Sequence, residues 1–238
     1  MIVTNEDGLT YAKNCECVEQ AIKAAILAKT LSFASIPSEF TGVKVNDFDC
    51  MMYTTSNSIN TATVARKITK NYILDFEKFR DSGKGLYYYS KEKGSGKTML
   101  ALALGNALIN MYSMSVKFVT TPELFSEIKK TYDKSSEFRE SQLIDSLKDV
   151  QVLILDDIGT EKMSGWVNEI LYQILNTRMT AKLVTIFTSN VHMSQLKHDD
   201  RIKSRIEKMS FPVQMPEESI RKQIANRENE EMAAALLS

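Results

Sequence analysis

Residues 86–108 read Leu-Tyr-Tyr-Tyr-Ser-Lys-Glu-Lys-Gly-Ser-Gly-Lys-Thr-Met-Leu-Ala-Leu-Ala-Leu-Gly-Asn-Ala-Leu, and this stretch decides the fold. The apolar run Leu86 to Tyr89 predicts a strand, and the Ala/Leu-rich run Met99 to Leu108 predicts a helix. Between them Gly94-Ser95-Gly96-Lys97-Thr98 matches the second half of a phosphate-binding loop. A strand that turns sharply into a helix aims backbone N–H groups and the positive end of the helix dipole at one point, which suits a phosphate. Lys97 is placed to reach the β and γ oxygens and the Thr98 hydroxyl to ligate Mg²⁺. One position departs from the pattern G-x-x-x-x-G-K-[ST], which asks for glycine where this chain has Lys91. A side chain forced into a glycine-only conformation costs about 1–2 kcal/mol. A working loop is therefore expected, with Lys91 entering it by a different backbone path and with altered affinity.

Downstream, Val152-Leu153-Ile154-Leu155 is a continuous aliphatic run, the mark of a strand buried on both faces, and it ends on Asp156-Asp157. Carboxylates at the C-terminal end of a hydrophobic strand form the Walker B arrangement. Asp156 is expected to hold Mg²⁺, largely through its water shell, and Asp157 to orient or deprotonate an attacking water.

From Gly85 onward strands and helices alternate, which predicts an α/β fold with a parallel sheet covered by helices. Val116 to Thr120 reads as a strand, and Thr121-Pro122-Glu123 opens a helix that buries Leu124, Phe125, Ile128 and Tyr132. A polar break around residues 133–136 precedes a short helix through Leu143, Ile144 and Leu147. A helix over 165–179 turns Trp166, Ile170, Leu171, Ile174 and Leu175 inward. Leu183 to Thr188 and Phe211 to Met215 complete the strands, and 216–237 closes the chain as a helix. Ahead of the sheet, residues 16–33 and 60–82 have helical composition. The stretch Ile36 to Asp49 between them offers Phe40, Val43, Val45 and Phe48 for packing on a neighbouring domain. We place a boundary near residue 50, between an N-terminal segment (1–50) and the main domain (51–238).

Composition narrows the function classes. At 238 residues, 43% hydrophobic and 25% charged, the chain is globular with one core of ordinary size. It has no apolar run of the ~18 residues that a membrane span needs. No secretory signal is expected from its first residues, and three cysteines make a disulfide framework unexpected, which points to the cytoplasm. Formal charge is zero, with residues 1–50 holding 4 Lys against 7 Asp and Glu, a net of −3, and the remainder a net of +3. That balance excludes a strongly cationic nucleic-acid binder. Contact with DNA must then use a local patch, multiplied by assembly.

The run VLILDDIGTEK (152–162), with the phosphate loop before it and TIFTSN (185–190) after it, resembles the DnaC/DnaI-type loaders of bacterial replicative helicases. These are AAA+ ATPases, related to the IstB-type transposition helpers. The resemblance covers roughly 15–235 and implies a five-stranded parallel sheet and ATP sites completed by a neighbouring subunit in a spiral oligomer. It implies nucleotide contacts from Lys93, Gly94, Ser95, Gly96, Lys97 and Thr98, with Thr98 and Asp156 on Mg²⁺. Asn190 resembles sensor 1, which positions the attacking water, although Asn is also an ordinary turn former. Arg205, in Ser204-Arg205-Ile206, resembles the arginine finger, and Arg221 resembles sensor 2. Cys15 and Cys17 resemble half of the zinc site of longer loaders; a closed site needs four ligands, so zinc is not expected. The family contacts DNA through the region between its second strand and Walker B, here Lys129, Lys130, Tyr132 and Lys134, where charge accompanies a stacking ring.

The expected function is ATP-dependent loading of a replicative helicase onto single-stranded DNA, with the acidic N-terminal segment gripping the helicase. Two alternatives stand beside it. One is a transposition helper that binds duplex DNA; the other is a non-hydrolysing helicase-binding regulator in which Lys91 marks a decaying site.

Overall fold

The computed structural model describes residues 2–4, 10–12, 34–132, 144–160 and 164–237. Five parallel strands form the sheet: β3 (Gly85–Tyr89), β4 (Val116–Thr120), β5 (Val152–Ile158), β6 (Val184–Ser189) and β7 (Ser210–Gln214), in the spatial order β4-β5-β6-β3-β7. The aliphatic run of β5 is interior to the sheet, pairing Leu153 with Lys117 on one side and Thr185 on the other. β7 lies at an edge, which lets Phe211 remain 54% exposed. A two-stranded antiparallel ribbon, β1 (Ile2–Thr4) with β2 (Thr10–Ala12), stands apart from this sheet and had no counterpart in the sequence reading.

Helices cover both faces. On one lie α1 (Ser56–Leu74), α2 (Phe76–Ser82) and α3 (Lys97–Tyr112), with Leu100 to Leu104 fully buried. On the other lie α4 (Thr121–Tyr132), α5 (144–149), α6 (Gly165–Thr180) and α7 (Asp200–Met209). The last helix, α8 (Arg221–Leu237), runs almost wholly exposed. The helix expected over 60–82 begins earlier, where the Thr55 side chain caps it by accepting from Ser58 N–H, and it breaks at Asp75. Asp75 has left helical geometry (φ −103°, ψ 23°), and α2 restarts beyond it and stops at the left-handed Gly83.

Residues 34–53 belong to the same core as the sheet. Ala34, Val45, Phe48, Cys50 and Tyr53 are buried there, with Phe40 and Val43 half-buried against them. The Asn106 amide of α3 donates to the carbonyls of Phe40 (2.8 Å) and Val43 (3.0 Å). A boundary near residue 50 thus runs through a packed stretch. The helix expected over 16–33, with Cys15 and Cys17, lies outside the described residues, as does Lys134. The side chains of Lys129, Lys130 and Tyr132 are likewise outside the description.

Arg178 on α6 is fully buried, and no carboxylate among the described residues is bonded to it. Its guanidinium donates to the carbonyls of Leu147 (2.8 Å), Val150 (2.7 Å) and Val184 (2.7 Å) and to Thr185 Oγ1 (2.9 Å). Burial pulls its pKa down from the usual arginine value and Asp149 pulls it back up. One planar fork therefore ties α5, α6 and β6 together. Arg178→Ala is expected to strand these acceptors and to cost at least about 3 kcal/mol, read as a lower midpoint in urea unfolding.

Candidate nucleotide-binding site

The loop after β3 builds the site. Gly94 (φ +78°) and Gly96 (φ +85°) take the left-handed conformation that turns the strand into α3, and a Cβ on Gly96 would lie 2.5 Å from the Phe48 ring. Lys91 is not among the described residues with positive φ. The missing glycine is thus accommodated without left-handed strain. The 34–53 stretch braces the loop from outside, with the Tyr53 hydroxyl donating to Ser95 O at 2.9 Å.

Lys97 opens α3 and is folded back over the loop. Its ammonium donates to Glu92 O (2.8 Å), Ser90 O (3.3 Å) and Ser95 Oγ (3.3 Å). Burial lowers its pKa, while Asp157, Glu217 and Asp156 pull the other way. The Thr98 hydroxyl donates to Asp156 Oδ1 at 2.9 Å, and that oxygen also accepts from Thr188 Oγ1 at 2.6 Å. Burial raises the Asp156 pKa, and the Thr188 hydrogen bond is the largest opposing effect.

Asp157 differs sharply from its neighbour. It sits at φ +56°, in a register shift between Leu155 and Ile158, with its N–H donating to Thr188 Oγ1 at 2.9 Å. A left-handed bulge of this kind costs energy and re-aims a side chain. Here Asp156 is directed back onto Thr98 while Asp157 lines the cavity above the loop.

That cavity measures about 610 Å³ and lies outside the C-terminal ends of the strands, where ligands bind in open α/β sheets. Lys93 to Thr98, Asp157, Asn190 and Arg221 all border it. Phe40 from the 34–53 stretch, Ile220 just ahead of α8 and Ile224 within it also border the cavity. Arg205 does not border it. Arg205 projects from α7 and is held by Asn176 Oδ1 (2.8 and 3.1 Å) and the Tyr172 hydroxyl (3.0 Å), with its guanidinium 4.2 Å from the Tyr172 ring centroid.

Sequence reasoning missed three participants. Thr188 bridges both aspartates, a role visible only once β6 is known to lie beside β5. Glu217 accepts from the N–H groups of Lys91 and Glu92. Glu218 accepts from the Thr54 N–H (2.7 Å) and hydroxyl (2.8 Å). Its slight burial works to raise its pKa, but these bonds from Thr54 hold it down to about 2.

Comparison with known proteins agrees with this geometry. The family model described as IstB-like ATP binding protein matches residues 87–227. The replicative helicase loader DnaI of Bacillus subtilis (strain 168) is 34% identical over 160 residues, covering 65% of this chain and 49% of that protein. The chain thus spans about half the length of the curated relatives it matches. A crystal structure of DnaI aligns with a TM-score of 0.62 at 29% identity, over 76% of this chain and 95% of that one. One of the DnaC helicase loader aligns with a TM-score of 0.62 at 21% identity, over 75% and 99%, and speaks for the fold alone. The expected five-stranded parallel sheet is present, and the fold is that of the AAA+ class. This chain belongs to the IstB-like ATP binding protein family.

Proposed function

We propose that this chain is an ATPase that loads a replicative DNA helicase onto single-stranded DNA in the bacterial cytoplasm, or in that of a phage-infected host. The observation that carries the reading is one cavity bordered by Lys97, Asp157, Asn190 and Arg221, in a chain 34% identical over 160 residues to a helicase loader. Lys93 to Thr98 bind the phosphates. Asp157 orients or deprotonates the attacking water, Asn190 positions it, and Arg221 follows the nucleotide from α8. Thr98 and Asp156 are the hard oxygen donors that suit Mg²⁺, and they already lie within one hydrogen bond of each other. Magnesium is typically held by one or two carboxylates together with waters and phosphates, and these two side chains fit that need. The ion would neutralise charge on the phosphates.

Arg205 lies outside its own cavity, which supports a role in a neighbouring subunit's site. Turnover is therefore slow in the isolated chain and rises as subunits assemble into a spiral. The domain division near residue 50 gives the N-terminal segment to the helicase. Of that acidic segment, 34–50 also braces the ATPase core. Lys129, Lys130, Tyr132 and Lys134 supply the DNA contacts.

The test is native mass measurement of the chain with a bacterial replicative helicase, with and without ATP, followed by transfer onto single-stranded DNA. A helicase complex of defined stoichiometry that deposits helicase on DNA only with ATP is expected. Preferential binding of duplex DNA with no helicase complex refutes the reading.

A further inference from the structure

The segment joining β7 to α8 runs along the outside of the phosphate loop and bonds to it step by step. Met215 N–H donates to Tyr89 O (2.8 Å), and the Ser90 hydroxyl donates to Pro216 O (2.8 Å). Further on, Ile220 N–H donates to Gly94 O (3.0 Å). Between these contacts the Glu217 carboxylate meets the start of the loop. It accepts from Lys91 N–H at 3.0 and 3.2 Å and from Glu92 N–H at 3.3 Å. Ser90 Oγ accepts from the same Glu92 N–H at 3.1 Å.

These are not the donors that face the nucleotide. The cavity is bordered from Lys93 onward, and neither Lys91, Glu92 nor Glu217 borders it. The carboxylate therefore does not stand where a phosphate would sit. It satisfies two backbone donors at the one point where the chain departs from the glycine pattern. A glycine there can enter backbone conformations that a side chain closes off. Lys91 lacks that freedom, and its path is fixed from outside by a charge-assisted pair of hydrogen bonds.

We propose that Glu217 is a positioning residue of the nucleotide site, holding the start of the phosphate loop on the path that Lys91 takes without a positive φ. The proposal rests on the reading of the loop as an ATP site. It has a mechanical corollary. Glu217 and Arg221 sit four residues apart on one segment, and the adjacent Glu218 grips Thr54 ahead of α1. The loop, α8 and the entry to α1 are thereby held by one short piece of chain.

The experiment measures the Kd for ATP by titration calorimetry, with KM and kcat for hydrolysis, in Glu217→Ala, Glu217→Gln, Lys91→Gly and the Lys91→Gly/Glu217→Ala double variant. Glu217→Ala is expected to raise Kd and KM roughly 5–10-fold with kcat little changed, as loss of an exposed charge-assisted contact should. Glu217→Gln keeps an acceptor oxygen and recovers most of the affinity. With glycine at 91 the same Glu217→Ala change costs no more than about twofold, a coupling that a merely structural residue would not show. Unchanged Kd in Glu217→Ala overturns the proposal, and so does an equal loss in both backgrounds. Lys97→Ala runs alongside. If it binds ATP like the parent, the reading of the loop fails; if only the Glu217 effects are missing, the positioning role alone fails.

Discussion

Arg205→Ala is expected to leave ATP binding intact and to slow hydrolysis in the assembled protein by about 10³-fold, the range found for arginine fingers. The guanidinium is displaced from its own cavity but is not loose. Asn176 fixes two of its nitrogens, Tyr172 lies under its plane and bonds a third contact, and the Arg201 carbonyl accepts from Nη1 at 2.8 Å. This half-buried planar cation has little rotamer entropy left to lose if an anion on another molecule reaches it. Mixing makes the outcome specific. Arg205→Ala and Lys97→Ala subunits, each inactive alone, should regain part of the activity together, because some interfaces then join an intact loop to an intact finger. Normal hydrolysis by Arg205→Ala, or no recovery on mixing, would exclude a finger acting between subunits.

Lys97→Ala should lower kcat/KM for ATP by about 10²–10³-fold, the loss of roughly 3–4 kcal/mol of stabilisation of the phosphate charge, and should abolish helicase loading. The ammonium is buried among loop carbonyls at 2.8 and 3.3 Å, so it needs only to exchange these acceptors for phosphate oxygens. Burial pulls its pKa down, but Asp157, Glu217 and Asp156 favour the charged form. Steady-state hydrolysis with DNA and helicase present is the measurement. Activity equal to the parent would remove the loop from the mechanism.

The strands and the phosphate loop were legible because their signals are short. A continuous aliphatic run, two glycines and a Lys-Thr pair each state a local requirement of backbone or burial. Lys91 was legible as an anomaly, and it is not among the described residues with positive φ. What replaces the glycine was not legible. Glu217 is 126 residues away, in a segment that reads from sequence only as the approach to a charged helix. The break at Asp75 was lost for a related reason, because the helical composition of 60–82 continues through it.

By itself the sequence determined the class of fold, the site's phosphate face and the carboxylates opposite it. Those features depend on residues adjacent along the chain. The tertiary structure decided how they are held. Setting β6 beside β5 lets Thr188 separate the two aspartates into one that faces Thr98 and one that faces the cavity. Burying Arg178 among carbonyls of α5, its neighbouring loop and β6 fixes the helix that cradles Arg205. Running the β7–α8 segment along the loop supplies the acceptors for Lys91 and Glu92. Apart from the Arg178 bond to Val184, six residues on, each is a hydrogen bond across 28 or more residues of chain, and no local pattern encodes it, because its donors and acceptors meet only after the strands have found their order.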